Sequence, residues 1–258
     1  MAARPRLDKR GFGAEAPVPA PSRLAALLGE RRGIEADLTT FRLLESACPQ
    51  VRAGLDAVAG GGRFYADRLR EAIGGAPCGV IRAEPHPVPG GLEMDARALA
   101  EVVRSPHVAM PAPSALGLTD WYFGDPAESG AAVRDVVGTL TRTMRDAGVA
   151  GHVLIADTPV REELEDLANP FTFVYCPDPD EDALDVLLDH QRPFALPGRR
   201  AADLAGLIDQ YGRRTVYLVD PGQEEIATAL AVLDADHLCI GGFCPGDCGS
   251  YWRRLAAL

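Results

Sequence analysis

Apolar residues first recur at three- and four-residue intervals, as in Leu24, Leu27 and Leu28, then Phe41, Leu43 and Leu44, then Tyr65 and Leu69. That spacing predicts helices from Arg23 to about Ile73, interrupted at Gly60-Gly61-Gly62. The rhythm then changes to short apolar runs of strand length. They are Gly79 to Arg82, His107 to Met110, His152 to Ala156, Phe171 to Tyr175, Pro193 to Leu196, Thr215 to Val219 and His237 to Ile240. Helical patterns lie between them, including Ala131 to Ala147, Glu181 to His190, Ala201 to Tyr211 and Gln223 to Leu233. Strands alternating with helices every twenty residues or so imply parallel βα units. With an eighth strand placed near Leu55 to Val58, the expected fold is α/β, a single-domain TIM-like (β/α)8 barrel. An open doubly wound sheet is the architectural alternative. Residues 1–22, with Pro5, Gly11, Gly13, Pro17, Pro19 and Pro21 and little apolar periodicity, read as a flexible arm; residues 23–258 form the barrel.

Composition narrows the function classes. A net charge of −11, with no Lys/Arg stripe to meet a phosphate backbone, means that nucleic acid is not an expected partner. No run reaches the eighteen or so apolar residues that a membrane span needs, and no apolar leader opens the chain, which predicts no membrane partner and a cytoplasmic protein. In that setting six cysteines are expected to be thiols or metal ligands rather than a disulfide framework.

A barrel gathers its chemistry on the loops after the carboxyl ends of its strands. Those loops carry Asp157, Cys176-Pro177-Asp178, Arg199-Arg200, Asp220 and a thiol-rich segment, Cys244-Pro245-Gly246-Asp247-Cys248. Three acids and three cysteines therefore belong to one face. Cys48 and Cys78 read as core residues, and Cys239, inside a strand, as a small buried hydrophobe. His107, His152 and His237 open their strands at the opposite face and read as structural. Trp121, Tyr122 and Phe123 follow the second run and either line a pocket or cover the core. The chain contains no G-x-G-x-x-G after a strand, no phosphate-binding P-loop, no H-E-x-x-H and no G-x-S-x-G.

Several segments, taken in order, resemble the cobalamin-independent methionine synthase family. Met110-Pro111-Ala112-Pro113-Ser114 followed by a tyrosine-bearing loop resembles its PGP-x-T loop. Arg145 to Val149 resembles its helix end, and Ile155-Ala156-Asp157-Thr158-Pro159 its iDEP strand end. Cys176 sits where the family has a His-x-Cys zinc pair, and Cys244 to Gly249 resembles its terminal NPDCGL loop. Ala53 to Val58 with Gly61, Gly62 and Arg63 resembles its GlDvitdGE-x-r segment. The likeness covers roughly residues 50 to 258.

The resemblance implies a methyltransferase of methionine biosynthesis. In it Zn²⁺ holds a small thiol substrate as a thiolate, for methylation by a corrinoid or folate-type donor, including a corrinoid protein as partner. It implies Asp157 as the catalytic group that positions the acceptor's amine. Ser114, Tyr122 and Arg199 would complete the substrate site. Cys176, Cys244 and Cys248 would be the metal ligands, joined by Asp220 or His237. Val174 and Leu196 stand where the family has its zinc histidine and glutamate, and Thr158 replaces the glutamate of DEP. Those departures leave two alternatives: a non-catalytic barrel serving as a binding or assembly partner, and a uroporphyrinogen-decarboxylase-like enzyme using Arg82, Arg199 and Arg200.

Overall fold

The computed structural model describes residues 6–15, 17–30 and 37–258. Residues 1–5 and 16 of the expected arm, and 31–36 of the helical region, lie outside them. Eight parallel strands carry the fold: β1 (Asp8–Ala14), β2 (Ala59–Gly61), β3 (His107–Pro111), β4 (Gly151–Ile155), β5 (Thr172–Tyr175), β6 (Phe194–Pro197), β7 (Val216–Val219) and β8 (Leu238–Cys244). They form two four-stranded sheets, in the orders β1-β8-β7-β6 and β2-β3-β4-β5.

Two expectations need correction. Asp8–Ala14, read as part of a flexible arm, is a sheet strand whose Lys9 and Gly11 register with Ile240 and Gly242 of β8. Gly79 to Arg82 adds no strand to these sheets. Its Val80–Ile81 pairs only with Thr119–Asp120 beside them. The upstream strand expected near Leu55 to Val58 lies just beyond it, at β2.

The sheets meet at one seam, where the Gly11 N–H donates to the Ala57 carbonyl at 2.9 Å and the Ala57 N–H to Lys9 at 3.1 Å. At the other, between β5 and β6, no ladder forms among the described residues. Gln191 serves there instead: its amide accepts from the Val174 N–H at 3.0 Å and donates to the Val174 carbonyl at 2.9 Å. Gln50 treats Ala59 of β2 the same way, at 3.0 and 2.7 Å. Buried backbone groups must be paired, and a glutamine amide presents the donor and acceptor of a missing strand. The described residues show an α/β fold with parallel sheets, and no ladder among them closes it into a complete barrel.

Strand side chains alternate between faces. The inner set is one cluster: Phe12, Ala59, Ala109, Val153, Ile155, Phe173, Tyr175, Ala195 and Val219. Phe12 of one sheet stacks on Phe173 and Tyr175 of the other, with centroids 5.6 and 4.8 Å apart. Gly241 makes room, since a Cβ there would lie 2.3 Å from the Phe12 ring. The alternate set, including Val108, Met110, Leu154, Val174 and Ile240, packs outward against helices in a larger core. Among those helices are α1 (Leu38–Ala53), α2 (Gly90–Val102) and α3 (Pro126–Asp146). Asp37 caps α1 by accepting from the Thr40 N–H at 2.8 Å, and Gly54 ends it at φ 78°. Within this layer Asp95 is fully buried and bonded to Tyr65, Arg68 and Thr40.

No helix among the described residues is long and apolar enough to cross a membrane.

Candidate functional site

Because all eight strands run the same way, their carboxyl ends share one rim, and the chemistry-bearing residues there can be located one by one. Arg63, in the turn after β2, reaches across to pair with Asp157 after β4 and lies 3.8 Å from Glu15 after β1. Its guanidinium stands 5.9 Å from the Phe243 ring centroid, and Phe243 stands 6.0 Å from Tyr175. Glu15 is held by its own backbone, whose N–H donates to the Cys244 carbonyl at 2.8 Å. Burial raises the Glu15 carboxyl above its usual range, against the opposing pull of Arg63 and Arg42. Asp157 is mostly exposed, at 78% of its side chain. The rim thus presents one cation between two carboxylates, above an aromatic floor.

Beside it, Asp220 follows β7 in a left-handed conformation, φ 51°, and accepts a hydrogen bond from the Tyr251 hydroxyl. Burial raises the Asp220 carboxyl, and burial with the neighbouring Asp220 raises the Tyr251 and Tyr175 phenols.

The other expected substrate residues have separate partners. Ser114 donates to Glu163 through its backbone N–H at 2.5 Å and through its hydroxyl at 3.1 Å, on the wall of a cavity that includes Arg134 and Val160. Burial raises the Glu163 carboxyl. Tyr122 is half exposed, its N–H donating to Asp120 at 2.9 Å. Arg199 pairs with Asp178 on the exposed rim. Of the expected set, only Asp157 joins the Arg63 cluster.

The cysteines do not assemble as expected. Cys244 and Cys248 are joined in a disulfide. Cys176 is a free thiol that donates to the Asp157 carbonyl at 3.2 Å, and burial pushes it up to about 11, with Asp157, Asp178 and Asp180 adding to the rise. A metal ligand or nucleophile needs the opposite shift. Cys176 and Cys244 both belong to the outward-packing core, just after β5 and at the end of β8, strands that β6 and β7 separate. Val174 and Leu196 are buried among apolar neighbours. Among the described residues no group of three His, Cys, Asp or Glu side chains could hold a metal ion. This donor set does not fit the zinc that the resemblance implies. Cys78, expected in the core, is exposed.

Sequence reasoning missed Glu15, which follows a strand read as an arm, and Glu163, which sits within a helix. Arg63 was visible only as part of a family-like segment.

No protein-family model matches the chain, and no curated protein matches it. Solved structures do. One is a protein of Listeria monocytogenes assigned as a vitamin-B12-independent methionine synthase, with TM-score 0.65 and 13% identity over 93% of this chain and 92% of that one. Another is a B12-independent methionine synthase from Shewanella sp. W3-18-1 in complex with selenomethionine, with TM-score 0.62 and 12% identity over 88% of each chain. At such identities the likeness shows a shared fold.

Proposed function

We propose that this chain is a methyltransferase-like barrel whose carboxyl rim receives a small zwitterionic amino acid of the methionine class, without the zinc of the family it resembles. The observation that carries this is Arg63 set between Asp157 and Glu15. An amino acid bears one charge of each sign on adjacent atoms. Its carboxylate would take Arg63 from Asp157, and its ammonium would take the carboxylates so released. The side chain would lie on Phe243 and Tyr175, where a thioether makes favourable sulfur–aromatic contacts. Selenomethionine, present in the Shewanella structure, is of this class. Tyr251 and Asp220 would hold one side of the floor through their hydrogen bond.

Calorimetric titration of the full chain with L-methionine and L-homocysteine tests the reading. Saturable binding is expected, weakened at least about tenfold, ~1.4 kcal/mol, by Arg63→Ala and by Asp157→Asn. Binding unchanged in both variants, or none to the unaltered chain, would refute it.

The cysteine arrangement supports a second reading, in which the barrel binds the amino acid and transfers no methyl group. Incubating homocysteine with a methylated corrinoid or a methylated folate separates the two: methionine formed from either donor selects the transferase, and retained binding without product selects the binding barrel. The decarboxylase-like alternative has less support. Arg82 lies over Trp121, Arg199 pairs with Asp178, and Arg200 pairs with Asp203, so the three arginines face separate partners.

A further inference from the structure

A cavity of about 470 Å³ opens at the amino-terminal ends of the strands, opposite the rim just described. It exists because β5 and β6 are not laddered. Gln191 satisfies the Val174 backbone, and the segments around Asn169 and Arg192 form walls where a strand pair would close the space. The wall at Asn169 is built in advance, since that side chain donates to the Leu167 carbonyl at 2.8 Å and accepts from the Phe171 N–H at 2.9 Å.

The inner row at this end is polar and cationic. Arg10 precedes Phe12 on the inner face of β1, His107 precedes Ala109 on β3, and Tyr217 precedes Val219 on β7. Gly151 occupies the facing position of β4, where a Cβ would lie 3.0 Å from the His107 ring. The Arg10 guanidinium donates to the Tyr217 hydroxyl at 3.1 Å and stands 5.1, 5.6 and 6.0 Å from the Tyr217, Phe12 and Phe173 rings.

The hydrogen-bond inventory is incomplete here. Arg10 Nε, His107 Nδ1 and both ring nitrogens of His152 are buried without a hydrogen-bond partner among the described residues, and all three residues line this cavity. His152 is 0% exposed. Leaving such groups unsatisfied costs ~1–3 kcal/mol each, so this end of the strands holds polarity that the packed fold does not itself satisfy. Burial, with Arg10 beside His107 and Arg145 and His107 beside His152, pushes the two imidazoles down to about 4 and about 3. Both are therefore neutral near pH 7.

The sign of the ligand follows from the lining. Arg10, Arg192 and three histidines border the cavity, and no Asp or Glu does among the described residues, in a chain whose net charge is −11. The apolar part is planar: Phe171, Phe173 and Tyr217. The volume lies within the range of small-molecule sites.

We propose that this cavity binds a small organic carboxylate with a planar apolar body, its carboxylate against Arg10 and His107 and its body between Phe171, Phe173 and Tyr217. The site is independent of the rim, so its success or failure leaves the amino-acid reading untouched.

The test is titration of the full chain with benzoate, with benzamide as the uncharged isostere and inorganic phosphate as an anion without an apolar body. Benzoate is expected to saturate below about 10 mM. It should shift the imidazole NMR signals of His107 while leaving those of His86 and His237 in place. Benzamide should bind at least about tenfold more weakly. Arg10→Gln should weaken benzoate by a similar factor. The exposed Arg192→Glu does not touch the core, and it should weaken benzoate without lowering stability. No saturable benzoate binding, binding unchanged in both variants, or phosphate bound more tightly than benzoate would each overturn the proposal.

Discussion

Replacing Gln191 by Met should destabilise the protein by ~2–4 kcal/mol, and the number can be worked from one residue pair. Gln191 and Val174 are 7% and 1% exposed, and among the described residues two hydrogen bonds, at 3.0 and 2.9 Å, keep the Val174 N–H and carbonyl from being unpaired at the open seam. An orphaned buried group costs ~1–3 kcal/mol, so two cost ~2–6. Gln191 also lines the amino-terminal cavity, through which a water could take back part of that loss, and the range narrows to its lower half. Met nearly matches Gln in volume, so little of the effect is a packing void, whereas Gln191→Ala would mix the two. Urea unfolding followed by the fluorescence of Trp252, which is fully buried, measures the change, provided the denaturant slope stays constant. Gln50→Met serves as the internal comparison. Gln50 is 0% exposed, makes a third bond to the Ser46 carbonyl, and borders none of the cavities described, so its loss should be larger. If Gln191→Met falls within ~0.5 kcal/mol of the unaltered protein, an amide standing in for a missing strand is the wrong account of the seam.

Three further outcomes follow from the same geometry. Gly61→Ala should destabilise by more than ~3 kcal/mol in the same unfolding assay, because Gly61 sits at φ 96° and a Cβ would lie 2.2 Å from the Ala109 carbonyl oxygen; a folded variant of near-normal midpoint would contradict this. Asp220→Asn keeps an acceptor for Tyr251 and suits a left-handed backbone, so it isolates the carboxyl's titration. The folded protein holds that proton more tightly than the unfolded chain. Its stabilising contribution is therefore complete below the ordinary aspartate value and lost as pH rises through the raised one, and the melting-temperature advantage over Asp220→Asn should shrink from about pH 4 upward. A widening advantage would reverse the sign and reject the assignment. Thiol titration of the denatured, unreduced protein should count four of six cysteines, and six would disprove the Cys244–Cys248 bond.

Strands β3 to β8 were legible because each is a local run of apolar residues, and burial on both faces makes such runs nearly continuous. Strand β1 was not. Asp8–Ala14 reads DKRGFGA, with Arg10 and glycines where apolar residues would announce a strand. It becomes one by pairing with β8, more than two hundred residues away. Val80–Ile81 failed in the opposite sense, with apolar character but no place in the main sheets. At the rim, Asp157 was legible from its position after a strand, whereas its partner Arg63 lies 94 residues upstream.

The sequence by itself determined the α/β class, the order and spacing of the later strands, and the rim on which Asp157, Asp178 and Asp220 lie, since periodicity and strand-end position are properties of neighbouring residues. Only the tertiary structure decided which of those groups meet. It set Arg63 between Asp157 and Glu15, turned Cys176 and Cys244 outward at the ends of separated strands, and left an open seam above Arg10, His107 and His152. Those outcomes depend on the register and curvature of strands far apart in the chain, and on which buried polar groups find a partner once the sheets have packed.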